Sequence, residues 1–122
     1  MTLVVALPSS RRTRCRHASI PAAVPALVIG NLGVVQAREQ KTEMVRALID
    51  DVGADALFLH MNPAQELVQP GGDRDFRGGL ETFARLTRDL GKPVVAKETG
   101  CGISKRLAER LRAVGVTHCD VS

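Results

Sequence analysis

The chain contains no Trp or Tyr and only three Phe, so aromatic side chains make up 2% of its 122 residues. That scarcity argues against a surface that holds single-stranded nucleic acid by stacking bases on aromatic platforms. It also means that a core must rest on Val, Leu, Ile and Ala. Apolar runs are short, none approaching the roughly 20 residues of a membrane helix, so no membrane partner is expected. Cysteine is sparse: Cys15, Cys101 and Cys119 are odd in number and lack CxxC spacing. This pattern suits free thiols in a reducing compartment, the cytoplasm, better than a disulfide framework. His118 and Cys119 are adjacent, but with one distant third residue they do not make a zinc site. A nucleophile elbow, a P-loop and a GxGxxG turn are all missing, which counts against an esterase, an NTPase and a Rossmann dehydrogenase.

Acidic residues are absent from the first 37 positions, where Arg11, Arg12, Arg14 and Arg16 fall together. The other 13 basic residues are matched by 13 Asp and Glu, so the formal charge of +4 belongs to that short run. The rest of the chain is electrically neutral and offers no basic face for nucleic acid. Residues 1–22 place their positive charge after an apolar stretch, the reverse of a secretory signal. They are expected to be an unstructured or mis-started leader, with an organelle transit peptide as the other reading. Residues 23–122 are expected to form one domain.

Residues 26–30 form a short apolar run with β-branched members, which predicts a buried strand. Residues 37–52 carry Met44, Val45, Leu48, Ile49 and Val52 on one helical stripe, with Gly53 as a stop. Residues 56–60 read as a second strand. Leu80, Phe83, Ala84, Thr87 and Leu90 trace a second helix that ends at Gly91. Residues 93–97 read as a third strand, with Pro at its permitted first position. Ser104 is a suitable N-cap for a third helix carrying Leu107, Ala108, Leu111 and Val114. Residues 117–121 begin a fourth strand. Alternating strands and helices predict an α/β fold with a parallel sheet, either a barrel sector or an open doubly wound sheet.

Polar residues gather where each predicted strand ends. Asn31 and Gln36 follow the first; His60, Asn62, Gln65 and Glu66 follow the second; Lys97 and Glu98 follow the third; Asp120 and Ser122 follow the fourth. In α/β folds of either kind this C-terminal edge is where ligands bind. Each group taken singly has an ordinary reading as a loop cap or a solvated side chain, but together they predict a site. Glu66 with amides nearby offers the hard oxygen ligands that Mg²⁺ prefers. Lys97 is a cation able to fix an anion or an electron-rich ring.

Three segments carry a resemblance. They are Gly30-Asn31-Leu32-Gly33-Val34-Val35-Gln36, His60-Met61-Asn62-Pro63-Ala64-Gln65-Glu66 with Gln69-Pro70-Gly71-Gly72-Asp73, and Val95-Ala96-Lys97-Glu98-Thr99-Gly100-Cys101-Gly102. In this order and spacing they resemble the type II, flavin-dependent isopentenyl diphosphate isomerases, from position 26 to the end. The resemblance implies a (β/α)8 barrel, of which this chain would supply about four parallel strands and three helices. It implies conversion of isopentenyl diphosphate to dimethylallyl diphosphate in isoprenoid biosynthesis, with FMN, NADPH as reductant, and Mg²⁺. A homo-oligomer is implied for the full-length enzyme.

Carried over by motif, Asn31 and Lys97 would contact FMN, and His60 and Asn62 would hold the diphosphate. Gln65 would sit beside the reacting alkene as an orienting amide or proton relay, and Glu66 would hold Mg²⁺. Gln65 and His60 are thus the catalytic candidates. A barrel commonly takes about 250 residues, and the family's N-terminal basic segment and its glycine-rich phosphate loops have no counterpart here. The chain therefore reads as an internal part of such an enzyme, inactive when alone. The alternatives are a non-catalytic remnant or interaction fragment, and another FMN-binding barrel oxidoreductase. The segment from His60 to Glu66 argues against the latter.

Overall fold

The structure is a computed structural model that describes residues 2–6, 27–63, 68, 70 and 75–121. Five strands form one sheet: β1 (Thr2–Ala6), β2 (Leu27–Gly33), β3 (Ala56–His60), β4 (Val94–Lys97) and β5 (His118–Asp120). Four helices are described: α1 (Val34–Glu39), α2 (Thr42–Asp51), α3 (Gly79–Asp89) and α4 (Lys105–Ala113). Every neighbouring pair of strands is parallel, and the order β1-β2-β3-β4-β5 follows the chain. The class is α/β, as the alternation predicts. A doubly wound sheet needs a reversal of strand order, and these five strands have none.

Alternation along the strands divides the sheet into two faces. Val28, Leu32, Leu57, Leu59, Val94 and Ala96 share one face in register and are buried in the main core. Helix residues Val34, Val35, Val45, Leu48, Ile49, Phe83, Leu86 and Leu111 join them in the same cluster. The opposite face carries Asn31, Phe58, His60, Val95, Lys97 and Asp120, each only partly buried. One face is thus given to packing, and the other presents chemistry.

Three expectations are corrected. The leader is not wholly outside the fold, because Thr2–Ala6 pairs with β2 in parallel register. Its run Thr2-Leu3-Val4-Val5-Ala6 has the β-branched composition that suits a strand, and it supplies ladder partners for the edge of β2. The first strand also runs on to Gly33, so Asn31 lies inside it; pairing with β3 continues to Gly33 opposite His60.

The single helix expected over 37–52 is two helices, so the described residues contain four helices instead of three. Gln40 and Lys41 between α1 and α2 are extended. Lys41 lies four residues before Val45 and seven before Leu48, both buried. A continuous helix would turn its ammonium into the core stripe, and a buried unpaired charge is prohibitive. The break leaves Lys41 exposed.

Cations from other elements then close the helix ends. Arg85 on α3 donates to the carbonyl of Ala37 (2.7 Å) and to Thr42 Oγ1 (2.8 Å), bridging the break. Arg46 on α2 donates to the carbonyls of Asp89, the last residue of α3, and of Leu90, its C-cap. The remaining elements match their expected positions closely. Ser104 caps α4 by accepting from Leu107 N–H at 3.2 Å. Gly115 after α4 adopts φ +93, with Thr87 Oγ1 3.2 Å from where a Cβ would stand. Only glycine suits that turn.

Candidate functional site

The C-terminal end of the sheet is built from two consecutive rungs on the same face. Asn31, Phe58, Val95 and His118 stand side by side in one, and Gly33, His60, Lys97 and Asp120 in the next. Parallel pairing brings these residues together from four strands, and the polar members Asn31, His60, Lys97 and Asp120 are those expected from strand ends, while His118 is an addition. Among the described residues, Asn31, His60 and Lys97 do share one rim. Asn62 follows β3 and lines a small recess with His60, Gly33, Gln36 and Phe76. Gln65 and Glu66 lie outside the described residues.

Lys97 is the electrostatic centre of the rim. Its Nζ is 2.7 Å from Asp120 Oδ2 and 5.5 Å from the centre of the Phe58 ring, whose π face attracts a cation. Asn31 contributes an open valence: its Oδ1 is buried and has no hydrogen-bond partner among the described residues. Buried acceptors are almost always satisfied, so an orphan on this face marks a place for a donor. His60 packs tightly against the end of β2. A Cβ on Gly33 would fall 3.2 Å from His60 Cε1 and 3.0 Å from Gln36 Oε1.

Two of the polar residues expected at the rim serve the scaffold instead. Gln36 Oε1 accepts from Gly33 N–H at 3.2 Å, satisfying an orphan donor at the start of α1. Glu98 is 6% exposed, and its Oε2 accepts from Cys101 N–H (2.7 Å) and Gly102 N–H (2.8 Å). Burial pushes this carboxyl up. The backbone N–H groups of Cys101, Thr99 and Gly102, with the Lys97 charge, outweigh that effect and hold it below the usual value. Glu98 is therefore the anion around which the loop after β4 closes. Conversely, Phe58 and Asp120 are rim members that strand-end reading did not assign a role. Phe58 shares the parity of His60 along β3, and Asp120 stands in register with Lys97 across the β4–β5 pair.

A cavity of about 490 Å³ lies between α3, α4 and the start of the segment after β3, lined by Met61, Phe76, Leu80, Phe83, Leu107 and Arg110 among others. It includes neither Asn31, His60 nor Lys97. The rim has the polar complement that chemistry needs, and the cavity is mostly apolar. Cys101 and Cys119 are exposed free thiols. No group of three His, Cys, Asp or Glu able to hold a metal occurs among the described residues, and no helix among them is long and apolar enough to cross a membrane.

A parallel α/β sheet with convergent polar groups at its C-terminal rim defines the class of site. The chain is also similar in sequence to several proteins named isopentenyl-diphosphate delta-isomerase. It is 43% identical to the one from Bdellovibrio bacteriovorus over 97 residues, covering 80% of this chain and 28% of that protein. It is 44% identical to the one from Pyrococcus furiosus over 100 residues (78% and 25%). For the one from Pseudescherichia vulneris the figure is 45% over 96 residues (78% and 28%). The chain thus spans about a quarter of the length of the curated relatives it matches. No family model matches the chain.

Proposed function

We propose that this chain carries part of the active site of a flavin-dependent, type II isopentenyl-diphosphate delta-isomerase, as one sector of a (β/α)8 barrel. The observation that carries the reading is the convergence of Asn31, His60 and Lys97 on two adjacent rungs of one sheet face. Similarity to proteins named for this isomerisation supports it. The sequential strand order supports the barrel, since right-handed crossovers between consecutive parallel strands put all helices on one side.

The residues present fit a flavin. The orphan Asn31 Oδ1 needs an N–H donor, and the Lys97 ammonium, already paired with Asp120, can share an N–H with a further carbonyl; the edge of an isoalloxazine ring offers both groups. When bound and reduced at the expense of NADPH, the flavin supplies acid/base chemistry at an unactivated alkene. The chain's own residues do the rest. Asn31 and Lys97 orient the ring, and His60 and Asn62 donate to the diphosphate of isopentenyl diphosphate. Gln65 would orient the alkene whose double bond moves to give dimethylallyl diphosphate, and Glu66 would hold Mg²⁺, whose charge would offset that of the diphosphate.

The test is a chimera in which residues 26–122 replace the matching quarter of the Bdellovibrio bacteriovorus relative. Isomer formation with FMN, NADPH and Mg²⁺ is expected. Gln65→Ala in the chimera should slow turnover at least about 100-fold with flavin still bound, the scale on which misorienting a reacting group acts. A folded chimera that binds FMN and gives no isomer would leave a non-catalytic remnant as the better reading.

A further inference from the structure

The ammonium of Lys97 is held from both sides. β5 presents the Asp120 carboxylate directly in register with Lys97, and β3 presents the Phe58 ring on the other flank. The two charged side chains are 20% and 25% exposed, so water screens them only in part. This sets them apart from the pair Lys105–Glu109, 3.9 Å apart with side chains 91% and 66% exposed. It also differs from Lys92, which joins Asp50 and the carbonyl of Ala54 and so serves the scaffold. Lys97 makes a long contact to the Glu98 carbonyl (3.5 Å) besides Asp120. An ammonium has three N–H donors, and partners among the described residues take two of them.

We propose that Asp120 is a positioning and specificity-determining residue: by holding Lys97 over Phe58 it aims the ammonium and cancels much of its charge. The rim then favours a neutral, carbonyl-bearing ring over a bare anion. This deepens the reading of the rim as a flavin-binding edge and rests on it. The physical basis is twofold. A free lysine explores many rotamers on its four-carbon stem, and a registered carboxylate selects among them. A carboxylate at 2.7 Å also repels any second anion that approaches the same ammonium.

The experiment uses the 122-residue chain as wild type, Asp120→Asn and Asp120→Glu. The Lys97 side-chain NMR signals are followed while lumiflavin or inorganic pyrophosphate is added. In Asp120→Asn, exchange protection of the Lys97 ammonium should disappear and pyrophosphate should bind about tenfold more tightly, equivalent to about 1.4 kcal/mol. Asp120→Glu should restore wild-type behaviour. Unchanged Lys97 signals and unchanged pyrophosphate affinity in Asp120→Asn would overturn the proposal.

A Lys97 signal that responds to Asp120→Asn but to lumiflavin in no variant would remove the flavin reading and leave the pairing standing. If Asp120→Asn fails to fold, reductive methylation of wild type decides. Lys97 should be methylated at least about fivefold more slowly than Lys105, as expected for an ammonium held in a partly buried pair. Equal rates would overturn the proposal.

Discussion

Replacing Arg85 with Met tests whether the break between α1 and α2 is held from outside the two helices. The guanidinium donates to the carbonyl of Ala37, which is fully buried, and to Thr42 Oγ1, which is 8% exposed. A hydrogen bond from a charged donor contributes about 1.5–3 kcal/mol, and one to a hydroxyl about 0.5–1.5 kcal/mol. Ala37 O keeps a second donor, Gln40 N–H at 3.3 Å, so it is not abandoned. Released arginine rotamer entropy returns up to about 2 kcal/mol. Taken at the middle of these ranges the net loss is about 2 kcal/mol, with about 1–3 kcal/mol as its working span. For a chain of this size that corresponds to a Tm lower by about 4–12 °C. Urea and thermal unfolding followed by circular dichroism measure it, with Arg85→Lys expected to recover part of the loss. A change below about 0.5 kcal/mol in Arg85→Met, the range of ordinary surface substitutions, would refute the argument that this cation stabilises the break.

Two further outcomes follow from the site's scaffold. Because the Glu98 carboxyl sits below its usual value of 4.5, its contribution to stability is present above that value and fades as pH falls towards the lowered one. The protection of the Cys101 and Gly102 amides against hydrogen exchange, taken relative to their intrinsic rates at each pH, should therefore fall in acid, and Glu98→Gln should remove that pH dependence. Gly33→Ala brings a methyl to 3.0 Å from Gln36 Oε1 and 3.2 Å from His60 Cε1, at a φ of −70 that alanine accepts without strain. The cost of overpacking should be about 1–3 kcal/mol in urea unfolding, with a shifted His60 ring signal; an unmoved ring would mean that β2 does not confine it.

The elements with strong local signals were legible without coordinates. Residues 56–60 form a short apolar run that ends in a polar residue after a glycine stop at Gly53, and β3 is Ala56–His60. Ser104 announces α4, and Lys97 ends β4 as expected. The broken helix was not legible, because the stripe of Val45, Leu48 and Ile49 extends in phase through Lys41, and only burial of that stripe reveals the charge conflict. Nor was β1: an apolar pentapeptide followed by arginines has no local partner, and pairing to β2 across some twenty intervening residues is a tertiary event.

At the rim the same division holds. Residue types and strand periodicity sufficed to mark Asn31, His60 and Lys97 as groups at the ligand-binding end of a parallel sheet, since that edge follows from chain direction alone. Register decided the rest. It set Asp120 and Phe58 around Lys97, left Asn31 Oδ1 without a donor, and turned Glu98 inward to its own loop. A sequence orders residues along one strand, whereas a site depends on which residue of the neighbouring strand stands beside them, and that is settled only when the strands pair.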